Sequence, residues 1–317
     1  MQTFSIASVT VAYNGEGDLP RHLKGLLNQT VPLTEIIVVN NASTDGTLRL
    51  LSKEYPEVTV LDLGSNSGVG GGYAAGLAYA VNQKKYDWVW LFDQDSVPTP
   101  ECLERLLATL NTEEGPDHTT AILAPTCLHR STMRDYPGLL WRNGWRKVPA
   151  EQSVTFVDAV ISSGSLIRSE AIKRAGPPRE DFFIDYIDLE HCLRLRSSGY
   201  RIAVVRDAIL HHSLGAPRIV RLGSLSRVWA DHVPWREYYK ARNEVFTIWT
   251  HYPNFASKWS VVRRLIRHAL GILLFGKEKI ACLRMMCHGV VDGRAGRLGI
   301  RTFESASIAP TERRSHA

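Results

Sequence analysis

Two rhythms alternate along the first 110 residues. Residues 4–12 form a β-branched, apolar run, and Leu19, Leu23, Leu26 and Leu27 then recur at helical spacing. Glu35–Asn40 (EIIVVN) is a continuous apolar stretch of the kind buried on both faces of a parallel sheet. Ser43 or Thr44 is placed to cap a helix carrying Leu48 and Leu51, which closes near Tyr55-Pro56. Residues 58–63, 72–83, 88–92 and 101–110 continue as strand, helix, strand and helix, the last with Leu103, Leu106, Leu107 and Leu110 on one stripe. Strands alternating with helices through short connections predict an α/β domain on a mostly parallel sheet.

Past about residue 115 the rhythm breaks. Residues 126–153, with Trp141 and Trp145 among turn signals, read as a loop or hairpin insertion. A strand at 154–160, a small-residue turn at 162–165, a helix at 188–197 and a strand at 201–205 follow. Beyond Leu214 the chain turns helical and basic through 235–252, 257–275 and 277–291, and residues 305–317 read as a frayed end. The expected division is 1–215, an α/β domain, and 216–317, a basic, mainly helical extension.

Composition narrows the class. At 44% apolar and 22% charged over 317 residues, the chain is an ordinary globular sequence. No apolar run approaches the roughly 18–20 residues of a membrane span. The opening MQTFSIASVTVAYN lacks the basic region and apolar core of a signal peptide. Five cysteines without a C-x-x-C pair read as reduced thiols of a cytoplasmic compartment. Charge is uneven: residues 194–317 hold 22 Lys/Arg against 8 Asp/Glu, whereas 1–193 hold 16 against 24. The acidic part suits a metal and the basic part an anionic partner.

Chemistry concentrates at strand ends. Phe92-Asp93-Gln94-Asp95 closes the strand WVWLF, so two carboxylates at i and i+2 face the crevice where open α/β sheets bind ligands. Paired hard oxygen ligands suit Mg²⁺ or Mn²⁺ shared with substrate phosphates; a plain Asp-rich turn is the bland alternative. Asn66, Gly70 and Gly71 belong to a run, NSGVGGGYAAG, that would let a nucleotide approach the backbone and a helix N-terminus, or would simply turn the chain. Its spacing fails the dinucleotide fingerprint, since Tyr73 stands three beyond Gly70, and no Gly-Lys-Ser/Thr of a P-loop occurs. Asn40 opens NNASTDGT, whose polar side chains can bond a base or ribose as well as cap the next helix. Asp185, Asp188 and Glu190 cluster at a helix start among aromatics, as caps or as a general base. His211-His212 is a surface pair or a metal or phosphate contact.

Taken in order, SVTVAYN, VVNNASTDGT, LFDQD and FFIDYIDLEHCLRLRSSGY resemble the family 2 glycosyltransferases of the GT-A fold, over about residues 4–215. NSGVGGGYAAG, DYIDLE and GVVDGRAGRLG are most similar to the bacterial rhamnosyltransferase branch, which uses dTDP-L-rhamnose to extend cell-surface polysaccharides. The resemblance implies that Val11, Tyr13 and Asn14 line the nucleotide pocket, with Asn66, Gly70, Gly71, Asp93 and Gln94 on the same donor. Asn40 stands where the family usually has an Asp facing the base. Asp93 and Asp95 match the D-x-D, with Mg²⁺ or Mn²⁺ as cofactor, and His212 matches a His near the metal or diphosphate. Asp188 aligns with the Asp of a Glu-Asp catalytic pair whose Glu is Ile187 here, so Asp185 and Glu190 compete for the role of base. Ser163 and Gly164 match an acceptor-side turn, and Tyr239, Arg242 and Asn243 a YY-x-x-RN segment. The implied reaction is an inverting single displacement onto a saccharide, often lipid-linked.

Trp259, Val262, Leu265, Ile266, Ala269, Leu270 and Leu273 fall on one side of a wheel, with Arg263, Arg264, Arg267 and His268 on the other. Such a helix either lies on an anionic membrane, placing the protein on the inner face of the cytoplasmic membrane, or packs its apolar side on the catalytic domain. Exposed aromatics there would also suit a homodimer. No nucleic-acid module is present. The rival readings are a transferase of UDP-galactofuranose, a UDP-hexose or a GDP-sugar, and a non-catalytic nucleotide-binding or scaffold protein.

Overall fold

The computed structural model describes residues 4–111, 117–130, 135–213, 218–222 and 225–302. The expected frayed end, 305–317, lies outside them. Strands β1 (Ile6–Ala12), β2 (Glu35–Asn40), β3 (Thr59–Asp62) and β4 (Trp88–Asp93) are parallel and lie in the order β4-β1-β2-β3. The sheet continues beyond β4 through β5 (Val97–Pro98), β6 (Thr120–His129), β7 (Asp135–Tyr136), β10 (Val154–Val157), β11 (Leu166–Arg168) and β12 (Arg201–His212). β8 (Gly138–Trp141) pairs with β9 (Trp145–Val148), and β13 (Arg218–Leu222) with β14 (Leu225–Trp229), as separate hairpins. The sheet is mixed: β11 runs antiparallel to both β4 and β6, while β12 runs parallel to β6.

Helices cover both faces, which is why β1 and β2 read as unbroken apolar runs. Ala7, Val9 and Val11 enter one core and Ile6 and Ala12 the other, the alternation that a strand's period of two imposes. Over the first face lies α3 (Gly68–Leu77), continued as a π-helical stretch at Ala78–Gln83. On the second face Leu19, Leu23 and Leu26 of α1 (Leu19–Leu27) share a core with Leu51 of α2 (Thr47–Glu54) and with Cys102, Leu103 and Leu106 of α4 (Cys102–Ala108).

Two local expectations give way. Neither Ser43 nor Thr44 caps α2. The helix begins three or more residues later, after Ala42 turns the chain at φ 60°, and the Thr47 amide donates to Asp45 Oδ1 at 3.0 Å instead. The last strand does not stop at Val205: an irregularity between Val205 and Ile209 lets it resume and carry His212 to the sheet's rim.

The remaining helices are α5 (Ser169–Ala175), α6 (Ile187–Ser197), α7 (Pro234–His251), α8 (Phe255–Phe275) and α9 (Lys279–Arg294). The last three share a core with Trp141 and Trp229. Gly289 and Gly293 explain how α9 lies so close on α7. A Cβ at either would stand 2.3 or 2.4 Å from the Tyr238 or Arg242 carbonyl oxygen.

In α8 the expected split of faces is overturned. Of the predicted apolar side, Leu265 is buried, yet Trp259, Ile266, Leu270 and Leu273 are about half exposed. Of the predicted basic side, Arg264 and His268 turn inward onto the buried carboxylates of Glu244 and Glu237. Those two acids sit on α7, a partner that the wheel of one helix cannot reveal.

Candidate active site

The parallel register brings the carboxyl ends of four strands into one row: Asp62 beside Asn40, Asn40 beside Ala12, and Val11 beside Asp93. Tyr13 and Asn14 follow β1 along this rim. Gln94 ties the rim across, accepting from the Tyr13 amide at 2.8 Å and donating back to its carbonyl at 3.3 Å. Asn14, at φ 50°, donates its amide to Ser43 Oγ, and its side-chain oxygen accepts from the Thr44 amide at 2.7 Å. Asn40 is buried and uses its amide in both directions. It donates to Asp62 Oδ1 at 2.8 Å and accepts from the Ser43 amide at 3.3 Å. A carboxylate at position 40 could only accept, and would face Asp62 unpaired.

Asp93, Asp95 and His212 converge at the centre of the rim, with ligand atoms all within 4.8 Å of one another. His212 Nδ1 is 3.1 Å from Asp95 Oδ1, and its Nε2 is 3.9 Å from Asp93 Oδ2. Burial and the neighbouring Asp95 push the Asp93 carboxyl above its ordinary range, against the pull of His212. Burial disfavours the His212 imidazolium, but bonding to Asp95 and the charge of both aspartates outweigh it and raise its pKa. Two hard oxygen donors and an imidazole, held where mutual repulsion already calls for positive charge, fit a divalent cation such as Mg²⁺ or Mn²⁺.

A second layer fixes this trio. Ser96 Oγ lies 2.8 Å from His212 Nδ1 and 2.6 Å from Ser163 Oγ, and Ser163 accepts from the Asp93 amide at 3.0 Å. Below it, the buried His22 joins Thr10 Oγ1 to the Ser96 carbonyl, and burial lowers its pKa to about 4, so it stays neutral. Tyr73 donates to Asp93 Oδ1 at 2.9 Å; burial and the charges of Asp93, Asp188 and Asp95 all oppose its ionisation, which gathers those carboxylates about one hydroxyl. Sequence reading passed over His22, Tyr73 and Ser96. Ser96 is adjacent to the D-x-D, the one positional cue available.

The three acids near 188 part company. Asp185 is held by Arg236 through two bonds, at 2.9 and 3.0 Å, and Glu190 is buried between Arg194 and His251. Burial works against the Glu190 carboxylate, but the nearby His251 and the bonds from Arg194 overcome it and hold its pKa at about 2. Asp188 meets no cation among the described residues. Burial, helped by the charges of Asp185 and Asp93, raises its pKa to about 6. None of the three caps α6, whose entry is made by Tyr186 at φ 64°.

That entry is strained and braced. Phe183, Asp185 and Tyr186 have φ of 65°, 61° and 64°, a region that costs non-glycine residues about 1–3 kcal/mol each. Asn243 Nδ2 donates to the carbonyls of Phe182, Ile184 and Asp185 at 2.8–3.0 Å, while Arg242 holds those of Asp181 and Phe182.

Several expected contacts are corrected by this packing. Arg242 and Asn243 are fully buried and Tyr239 nearly so, its hydroxyl accepting from the Arg301 amide, so these three brace the loop and cannot face an acceptor. Ser163 is spent on Asp93 and Ser96, and Gly164, at φ 83°, is wedged where a Cβ would strike Leu210 and Pro125; both lie behind the site. Val11 turns its side chain inward against Gly72. The glycine run is helix α3 itself. A Cβ at Gly70 would stand 2.3 Å from the Arg179 carbonyl oxygen, so this glycine serves close packing. Gly71 lies against Ser67 of its own helix, and Asn66 accepts from the Gly68 amide, closing the helix start that a nucleotide was expected to meet.

Residues 8–149 match the model of glycosyl transferase family 2. The chain carries a family 2 glycosyltransferase domain. This glycosyltransferase is 28% identical to the dTDP-rhamnosyl transferase RfbF of Shigella flexneri, over 93% of this chain and 97% of that one. It is likewise 28% identical to the galactofuranosyltransferase GlfT1 of Mycobacterium tuberculosis, over 78% of this chain and 83% of that one. Among solved structures, S. aureus TarS 1–349 in complex with UDP-GlcNAc aligns at TM-score 0.59 and 19% identity, over 91% of this chain and 80% of that one. GalNAc-T7 with UDP, GalNAc and Mn²⁺ aligns at TM-score 0.61 and 15% identity, over 92% of this chain and 56% of that one. These likenesses show the GT-A fold, with helices following it at the C-terminus. No helix among the described residues is long and apolar enough to cross a membrane.

Proposed function

We propose that this glycosyltransferase moves L-rhamnose from dTDP-L-rhamnose, with inversion, to a hydroxyl of a lipid-linked saccharide. It would act at the inner face of the cytoplasmic membrane, in building a cell-surface polysaccharide. One observation carries the catalytic reading: of three acids at the start of α6, Asp188 alone has no clasping cation among the described residues, and its pKa of about 6 suits a base at neutral pH. Asp188 takes the proton of the acceptor hydroxyl as that oxygen attacks the anomeric carbon. Asp185, tied to Arg236, and Glu190, tied to Arg194, hold the loop and helix around it. Displacement is direct, so no protein nucleophile is needed.

Asp93, Asp95 and His212 would hold Mg²⁺ or Mn²⁺, which when bound would supply positive charge for the departing diphosphate. The Mn²⁺ named with GalNAc-T7 supports a divalent ion on this fold. Asn14, Asn40 and the Gln94-bridged Tyr13 line the edge on which the nucleotide would lie. Rhamnose as donor is supported by RfbF, whose likeness spans nearly both chains. The second reading, galactofuranose from its UDP donor, is favoured by the equal identity to GlfT1.

Thermal stabilisation by dTDP, UDP and GDP, each with and without Mn²⁺, separates these readings, because selective ligands raise the melting temperature by mass action. Metal-dependent stabilisation by dTDP, followed by transfer from dTDP-rhamnose, is expected. A UDP preference would select the second reading, and stabilisation by none of the three would remove the donor site.

A further inference from the structure

Helix α8 presents an unusual exterior. Phe255 is 81% exposed, and Trp259, Ile266, Leu270, Leu273 and Leu274 are 48–59% exposed, on a helix that the protein already holds by its other side. At 100° per residue Phe255, Trp259, Ile266, Leu270 and Leu273 fall within one stripe, flanked by the exposed Arg263 and Arg267. The helix contains no Asp or Glu. The neighbouring α9 contains one, Asp292, which is buried and paired with Arg297. Leaving so large an apolar stripe in water is unusual for a monomeric surface.

We infer that the outer stripe of α8 lies in the interface of an anionic phospholipid bilayer, with Arg263 and Arg267 on its headgroups. The choice of occupant follows from charge. A two-fold dimer through this stripe would set each copy's Arg263 and Arg267 against the other's, with no acid on α8 to relieve them. An anionic surface meets the same arginines favourably, and a half-exposed Trp259 beside aliphatic neighbours suits the headgroup boundary. The inward arginine is already spent: Arg264 pairs with Glu244.

The placement also deepens the proposed function. The inner side of α8 is turned towards the start of the catalytic helix, since Arg264 stands near enough for its charge to favour ionisation of the hydroxyl of Tyr186, two residues before Asp188. Lipid at the outer side would then be separated from that inner side by the width of α8, roughly 10–12 Å. A sugar on a lipid carrier would reach the base without leaving the surface. This last step rests on the lipid-linked acceptor; the docking face does not.

The test is sedimentation of the full chain with vesicles of phosphatidylcholine alone or with phosphatidylglycerol added, alongside its native mass in solution. The wild-type chain is expected to pellet with the anionic vesicles and to stay in solution with the neutral ones. Ile266→Glu with Leu270→Glu should cut the bound fraction at least about tenfold. Arg263→Gln with Arg267→Gln, which leaves the apolar stripe intact, should cost about fivefold per residue and flatten the salt dependence. Both variants should keep the wild-type thermal shift with nucleotide and Mn²⁺, which certifies their folding. Undiminished pelleting of the glutamate variant would overturn the inference. So would a wild-type dimer that ignores vesicles and falls to monomer in that variant. Docking without any nucleotide response would instead leave the face standing and remove the proposed activity.

Discussion

Glu190, Glu237 and Glu244 are each 2% exposed, and each faces a basic side chain the fold provides: Arg194, His268 and Arg264 respectively. Asp93 and Asp188 are only partly buried, and their nearest charges include other carboxylates. The consequences are opposite in sign. Glu190 is held to about 2 and Glu237 below its usual range, whereas Asp188 is lifted to about 6 and Asp93 is also raised. Burial penalises all four; what separates them is whether positive charge was built in or left for a ligand to bring. Burial is thus a poor marker of the working end of this protein, and the missing counter-charge a good one.

The largest effect that would break this contrast is on turnover. Asp188→Asn is expected to lower kcat by about 10²- to 10⁴-fold, the range for losing a general base, with nucleotide binding intact. Its stability should move the other way. A carboxyl whose folded pKa is raised destabilises the fold once it ionises, so above about pH 6 the Asn variant should melt no lower than wild type. Near-normal turnover would remove Asp188 as base.

Next is the clasped set. Glu190→Gln leaves Arg194 partly buried without its counter-ion, a change that costs about 3 kcal/mol. The measured outcome should be a lower melting temperature with turnover per folded molecule little changed. A specific loss of kcat at unaltered stability would move Glu190 into the chemistry.

Smaller, and a sharper probe of the metal reading, is Ser96→Ala. It removes the hydroxyl beside His212 Nδ1 while sparing all three proposed ligands, and should weaken Mn²⁺-dependent nucleotide binding by about tenfold. Titration calorimetry with and without Mn²⁺ would read it, and identical affinities would remove Asp93, Asp95 and His212 as the ion's holders. The mildest test is pH itself. Turnover should decline about tenfold per unit below about pH 6 as Asp188 takes up its proton, and a flat profile down to pH 5 would assign the base elsewhere.

Much of the frame was legible in order along the chain. The apolar runs of β1, β2 and β4 and the strand-end position of Asp93 and Asp95 follow from local periodicity, because a strand buried on both faces has nothing polar to show. What escaped was decided between distant segments. Gly70 reads like a phosphate loop, but its partner is the Arg179 carbonyl, more than a hundred residues away. Arg264 and His268 read as the basic side of an amphipathic wheel, and their partners stand on α7. Arg242 and Asn243 look like contacts for a substrate and are struts, since only the folded chain brings the carbonyls of 181–185 to them. The order of the three acids around 188 likewise depended on Arg236 and His251, both from α7.

The strut formed by Asn243 has a consequence for how the protein comes to be. The stretch from Phe183 to Tyr186 holds three left-handed residues that no short-range preference supports, and the side chain that gathers its carbonyls is emitted some sixty residues later. During synthesis the four parallel strands are complete while this stretch still lacks its template. The proposed base, Asp188, is therefore expected to take its position only when α7 docks. A chain halted before Pro234 is expected to carry the strand-end row without a fixed 183–186 stretch, and to transfer no sugar until the last helices are added.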